Sequence, residues 1–369
     1  MDFSLTENHR EVEALAKQLL SELASEERHR ELDKLDDRFD AKAWKVLGES
    51  GLLAVWLGEE EGGAGMSLIE WASIAEAVGR RAAAIPFVSA SIAAMAIARF
   101  GSSAQKAAHL PGFAAGTHLL AYGNAGLRQV APGFPVGVVV KTASGDKLTG
   151  YWTGIAGGMQ AHALLLSALD EAGEPRLFVV PTAGLERAAQ PGTSDETLAA
   201  LTLTDHPVTP DQELCGGAAA LAQLTELARL GNAAVMLGCA AEALKLTGEY
   251  AKTRHQFDVP IGTFQAVQQR AGDGYIDLAA IRSTFWQAAW RTANGEKASR
   301  EIAIAAFWAA DGGHRIVSAA QHIHGGMGFD RDYPLHRNYL QFKQCEFALG
   351  GASALLAELG DLIAAPTSR

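Results

Sequence analysis

Residues 318–343, SAAQHIHGGMGFDRDYPLHRNYLQFK, concentrate the groups in this chain that could meet a ligand. An Ala-rich helical run ends on His322-Ile323-His324 and breaks at Gly325-Gly326, and a third glycine, Gly328, keeps side chains away from whatever packs there. Two adjacent glycines after a helix give a left-handed cap and let backbone approach a bound molecule, because no Cβ stands in the way. Pro334 disfavours helix at Tyr333 but suits a first helical turn, so a new helix is expected to start near Leu335. The plain alternative for such a loop is a tight helix-helix connection. A second stretch lies upstream, Arg254-His255-Gln256-Phe257, then Ile261-Gly262 and Phe264-Gln265.

Long helices must position both stretches. Residues 218–253 contain no proline, and Leu221, Leu224, Leu227, Leu230, Ala234 and Leu237 step by three or four, the period of one helix face. A second long helix is expected from Thr263 to about Thr292, ended by Asn294-Gly295, and a third from Ser299 to His322. Consecutive long helices on short loops predict an antiparallel bundle. Towards the N-terminus, Thr6 can cap a helix carrying Val12, Leu15, Leu19, Leu20 and Leu23, and residues 44–53 and 69–79 repeat the helical period around an acidic glycine turn. Between these regions Pro111, Pro132 and Pro135 appear, and short runs such as residues 136–140, 163–168 and 177–180 alternate with turns, which predicts sheet. Residues 143–147 look like a hairpin turn. The expected division is a helical domain over 1–116, a β-domain over 117–215 and a helical bundle over 216–369, an α+β chain.

Composition narrows the partners. With 31 Lys+Arg against 42 Asp+Glu the net charge is −11 over 369 residues, which disfavours nucleic acid and anionic membrane. Cys215, Cys239 and Cys345 stand at no metal-ligand spacing, so no metal is expected, and reduced, buried thiols in a cytoplasm are. The start, MDFSLTENHR, has no basic-then-apolar signal pattern, and the uncharged residues 82–98 are Ala- and Ser-rich and interrupted by Pro86, so no membrane span is expected there.

The two motif stretches together resemble the acyl-CoA dehydrogenase family, whose members read R-x-x-F-G, then F-Q at a helix start, and later H-G-G-x-G followed by D-Y-P and an arginine, here Arg337. The resemblance spans nearly the full chain and implies an N-terminal helical domain, a middle β-barrel-like domain and a C-terminal helical bundle. It implies FAD, with Arg254, Phe257 and Gln265 reaching the cofactor of a neighbouring subunit, Gly325 and Gly326 offering backbone to its pyrophosphate, and His322 beside them where the family has glutamine. It also implies an acyl-CoA substrate touched by Arg229, an electron-transfer flavoprotein as acceptor, and α,β-dehydrogenation of the thioester.

The chain departs from that pattern where the chemistry is done. The family's glutamate base falls on Leu349, and the alternative base position, immediately before Arg229, holds Ala228. Glu346 lies three residues before Leu349 and Glu226 three before Arg229, and the bland expectation is that Glu226 pairs with Arg229 while Glu346 is solvated. The family's T-E-P motif would fall within residues 121–126, which do not match, and the tryptophan-threonine wall of the flavin falls on Gly154 and Ala156 unless Trp152-Thr153 slip by two. Contacts given to a neighbour are kept, whereas the base and the chain's own flavin wall are lost. The expectation is one subunit of a heteromeric acyl-CoA dehydrogenase, as in actinobacterial steroid side-chain degradation; a self-sufficient homotetramer with a relocated base and a non-redox scaffold are the alternatives.

Overall fold

A computed structural model describes residues 6–123, 137–142 and 145–364. The N-terminal pentapeptide, residues 124–126, Pro132, Pro135 and the turn at 143–144 lie outside the described residues.

Helices α1 (Glu7–Leu23), α2 (Glu26–Leu32), α3 (Ala41–Glu49), α4 (Leu68–Arg81), α5 (Phe87–Phe100) and α6 (Ser103–Ala114) come first. Strands β1 (Leu120–Gly123), β2 (Val138–Thr142), β3 (Gly145–Ile155), β4 (Ala163–Leu169), β5 (Pro175–Pro181), β6 (Ala188–Pro191), β7 (Thr197–Val208) and β8 (Glu213–Leu214) follow. Next come α7 (Gly217–Thr253), a hairpin of β9 (His255–Gln256) and β10 (Val259–Pro260), then α8 (Gln265–Ala293), α9 (Ser299–His324), α10 (Leu335–Leu349) and α11 (Gly351–Ala364). The three long helices thus lie within two residues of where they were expected, and the last helical stretch is cut in two at Gly350, whose φ is 83°. Thr6 caps α1 by accepting from the His9 backbone N–H. The buried stripe of α1 is Val12, Ala16 and Leu20, however, and Leu15 is exposed, because the helix presents the i, i+4, i+8 row to its neighbour.

The residues gather into two compact units. Residues 35–66 and 84–228 form the unit that contains the sheet, in strand order β6-β7-β3-β2-β4-β5-β8 with β1 alongside β4. The sheet is mixed: β1 and β2 run parallel to β4, while the other pairs are antiparallel. Its core includes Trp152, fully buried, whose indole N–H donates to the Ser167 carbonyl at 2.9 Å. A Cβ on Gly137 would lie 2.4 Å from that indole, so glycine makes the slot the ring fills. Cys215 is exposed, contrary to expectation, because it sits in the turn between β8 and α7, while Cys239 and Cys345 are buried.

A histidine cluster in this unit gives a pH prediction. His109 Nδ1 lies 3.1 Å from His118 Nε2, and the His118 ring stacks on His162 at 4.6 Å. Burial, then the neighbouring His162 and His109, push the His118 pKa down to about 4. Between pH ~6.5 and ~4 the unfolded chain therefore binds a proton that the folded chain refuses, so stability falls as pH drops through that window. After discounting for solvent at a half-exposed ring, the loss is on the order of 1–2 kcal/mol. Melting temperature measured from pH 7 to pH 4 should fall less steeply in His118→Phe than in the unsubstituted protein, and equal slopes would refute the assignment.

Residues 1–34, 67–83 and 229–369 form the second unit, which is helical. Helices α4 and α7 touch backbone to backbone: a Cβ at Gly79 would lie 2.0 Å from the Val235 carbonyl oxygen, and one at Gly238 would lie 2.0 Å from that of Glu76. The buried face of α9 is built on Ala303, Ala305, Ala306, Ala309 and Ala310, whose small side chains let α8 lie close. Arg337, buried, donates to Glu26 at 2.5 Å and Asp33 at 3.2 Å and so anchors α10 to the end of α2.

Candidate functional site

The last turn of α7 delivers Arg254, whose backbone N–H donates to the Tyr250 carbonyl at 2.8 Å and whose carbonyl accepts from Ile261 N–H at 2.8 Å. This closes the β9–β10 hairpin, and its two turn residues, Phe257 and Asp258, both have positive φ, 52° and 63°. Such backbone is costly for a ring-bearing residue and is held only where surrounding structure over-determines it. The consequence is a Phe257 residue that is 87% exposed and meets Phe264 edge-on with ring centroids 6.3 Å apart. Arg254 is exposed and makes no ion pair among the described residues, and Gln265, also exposed, opens α8.

At the end of α9, Gly325 takes φ 58°, ψ −132°, a positive-φ conformation outside the left-handed helical well, while Gly326 has ordinary φ. The expected double-glycine cap is therefore a single positive-φ glycine, a conformation open to glycine but not to an L side chain, followed by a 3₁₀ turn over Gly325–Phe329. Among the described residues, a Cβ on either glycine would meet no heavy atom within 4 Å beyond its chain neighbours, so the backbone there faces open space. Gly328 is different: a Cβ would lie 2.1 Å from Gln321 Oε1, which is packed beneath the loop. His322 is exposed and lines a cavity of about 610 Å³ between α8 and α9, together with Arg270, Asp277, Arg315 and Ser318. Gln321, one position earlier, points into the protein, so the side chain facing outward is histidine.

Ring contacts join the helix ends that carry the two stretches, and one of them sets Tyr333 edge-on to Tyr250 with centroids 6.4 Å apart. The His324 imidazole stacks on Tyr250 with centroids 4.3 Å apart and planes at 24°, which sets the end of α9 against the end of α7. Arg254 and Gly325 flank this contact. An exposed guanidinium with no carboxylate partner among the described residues, and open backbone after a helix, are each groups that suit an anionic diphosphate.

The acidic candidates fare differently. Glu346 is not solvated: Lys343 donates to its Oε2 at 2.7 Å and His314 Nδ1 lies 3.2 Å from Oε1. Arg229 is not paired with Glu226. Its two terminal nitrogens grip the Glu358 carboxylate at 2.5 and 2.7 Å, joining α7 to α11. Glu226 is half-buried on α7 and has no ion-pair partner among the described residues. Leu349 is the last residue of α10 and is buried; Ala228 is half-buried. Neither position can take a proton.

The sheet unit is also closed where a flavin wall would be read. Trp152 is core, as described, so slipping the strand would pull it out of its slot. Gln190 on β6 accepts from Thr153 Oγ1 at 2.6 Å and from Gly154 N–H at 3.0 Å, occupying the polar groups of that strand segment. Gln190, Glu358 and the Tyr250–His324 contact carry no local sequence signal, since each depends on a partner far along the chain.

Family models place an acyl-CoA dehydrogenase N-terminal domain at residues 6–117 and an acyl-CoA dehydrogenase C-terminal domain at residues 216–360. The chain is 37% identical to the acyl-CoA dehydrogenase FadE27 of Mycobacterium tuberculosis, with 98% of each chain covered. Among solved structures it resembles a chain of the ChsE4-ChsE5 complex of M. tuberculosis, at TM-score 0.93 and 36% identity over 100% of both chains. It also resembles a chain of a variant of the Tcur3481-Tcur3483 steroid ACAD, at TM-score 0.89 and 38% identity over 97% of this chain and 98% of that one.

Proposed function

The chain belongs to the acyl-CoA dehydrogenase family, and from that premise we propose that it works as the base-lacking subunit of a heteromeric enzyme. Its reaction is FAD-dependent α,β-dehydrogenation of an acyl-CoA thioester, an oxidoreductase activity. The observation that carries the subunit reading is the occupancy of both base positions by Leu349 and Ala228, together with the tying of Glu346 to Lys343. Dehydrogenation needs a carboxylate on one face of the Cα–Cβ bond, with a hydride acceptor on the other. FAD supplies that acceptor when bound, and a homologous partner chain supplies the glutamate.

This chain's own part is to hold the cofactor. Arg254 and the backbone at Gly325 and Gly326 bind the diphosphate, Phe257 covers the cofactor from the exposed hairpin, and Gln265 and His322 contact it from the ends of α8 and α9. These residues are open to the outside, as a site completed by a second chain requires. Exposed Phe329 and Phe347, at 72% and 66%, are apolar area for the same partner to cover. Arg229, held by Glu358, shapes the substrate side of α7. The named relatives point to steroid-linked thioesters as the first substrates to test, an electron-transfer flavoprotein serves as acceptor, and the assembly is cytoplasmic.

The test is purification of the chain alone and co-expressed with a homologous dehydrogenase, reading flavin content and single-turnover bleaching with straight-chain, branched and steroid-linked acyl-CoA. Flavin and bleaching in the pair only are expected. A yellow chain that bleaches by itself would establish the self-sufficient enzyme instead. Within the active assembly, Glu346→Gln and Glu226→Gln should each change the bleaching rate by less than about twofold, whereas loss of a true general base costs ~100- to 10,000-fold. A loss of that size in either variant, with flavin and thioester still bound, would place the base in this chain.

A further inference from the structure

We propose that His324 is a positioning residue for the diphosphate loop, stapling its two ends together and fastening them to the helix that delivers Arg254. The inference rests on the reading of Gly325 and Gly326 as cofactor-binding backbone. His324 immediately precedes the loop and Tyr333 closes it, and the Tyr333 hydroxyl lies 3.1 Å from His324 Nε2. The other ring nitrogen, Nδ1, lies 2.8 Å from the Ala320 carbonyl oxygen. A carbonyl only accepts, so Nδ1 carries the proton, and in the neutral ring Nε2 must accept from the Tyr333 O–H. Burial lowers the pKa of His324, which keeps the ring neutral and this tautomer in place. Both ends of the hydrogen-bonding pattern are thereby set by the protein.

The same imidazole makes the 4.3 Å stack on Tyr250, one helical turn before Arg254. This buried ring, 3% exposed, thus touches the end of α9, the exit of the loop and the end of α7, and Tyr333 adds an edge-on contact of its own to Tyr250 at 6.4 Å. Among the described residues nothing covers the loop from above, since a Cβ on Gly325 or Gly326 would find only open space. Support comes from beneath, from His324, Tyr333 and Gln321 under Gly328. A loop held this way keeps its backbone donors in place before the ligand arrives. Without the staple, binding would have to order several backbone residues, and that entropic cost would weaken affinity.

The test uses the flavin-carrying assembly, with FAD removed and titrated back well below the melting temperature. Tyr333→Phe removes one oxygen and leaves all rings in place; FAD should bind about fivefold more weakly, the size expected for one neutral hydrogen bond. His324→Ala should weaken binding ~50-fold or more, and His324→Phe, which keeps the stack but neither hydrogen bond, should recover part of that loss, to about tenfold. A stability-only role would lower the melting temperature in all three and leave the dissociation constant within twofold, and that result would overturn the proposal. Even if His324→Ala does not fold, Tyr333→Phe decides. Gly326→Ala run in parallel separates the two readings. If it keeps FAD affinity, the loop is not the cofactor site and the proposal falls with that reading. If it loses affinity while Tyr333→Phe retains it, the staple alone is wrong.

Discussion

Gly325→Val should leave the assembly nearly free of flavin, with FAD affinity reduced about 100-fold or more, while helical content stays unchanged. The reason is backbone conformation. At φ 58°, ψ −132° an L-residue is strained, and a β-branched one most of all. Relaxing the strain moves the N–H groups of the 3₁₀ turn away from the positions they hold now, at a cost on the order of 3 kcal/mol. Among the described residues no atom outside the neighbouring backbone lies within 4 Å of the added Cβ, so packing gives the fold no reason to fail. Gly326→Ala is the complementary case, because its φ is ordinary and its surroundings are equally open. A loss of flavin there reports a ligand lying against the backbone rather than strain. Flavin absorbance per assembly, with circular dichroism as the control, reads both, and normal flavin occupancy in Gly325→Val would reduce the loop to a connection between helices.

Arg254→Ala should weaken FAD binding by ~10- to 100-fold without lowering the melting temperature of the flavin-free protein. The guanidinium is exposed and makes no ion pair among the described residues, so its removal costs the fold little. Its contribution to a diphosphate is one or two charge-assisted hydrogen bonds, each worth roughly 1.5–3 kcal/mol. Arg254→Lys keeps the charge and loses the planar fork, so it should recover only part of the affinity. The affinity of the unsubstituted assembly should also fall with added salt more steeply than that of Arg254→Ala. Unchanged affinity in Arg254→Ala would remove the residue from the site.

Much of the architecture was legible from local patterns. The leucines at three- and four-residue steps marked α7, and the Asn294-Gly295 break and the Ala-rich run up to His322 marked α8 and α9, to within about two residues, because a helix satisfies its backbone locally and shows its face and its ends in nearby residues. The α1 stripe was read less well. Leucine at position 15 suits the same pattern as alanine at 16, and only the neighbouring helix decides which row is covered. The loop after α9 was recognised by its glycines, but its conformation was not, since the two glycines adopt different φ and only Gly325 takes a positive one.

The sequence by itself determined which groups are absent: no carboxylate stands at position 349 or 228, and no fold can create one there. It also determined where the arginine and the glycines of the cofactor motif lie along the chain. Tertiary structure alone decided what the remaining polar groups do. Glu346 belongs to Lys343 and His314, Arg229 to Glu358 rather than Glu226, and Trp152 to the sheet core rather than to a cofactor. The physical reason is that an ion pair or a buried ring takes its partner from whatever the fold brings within a few ångströms. For Arg229 that partner lies 129 residues away, beyond the reach of any local pattern.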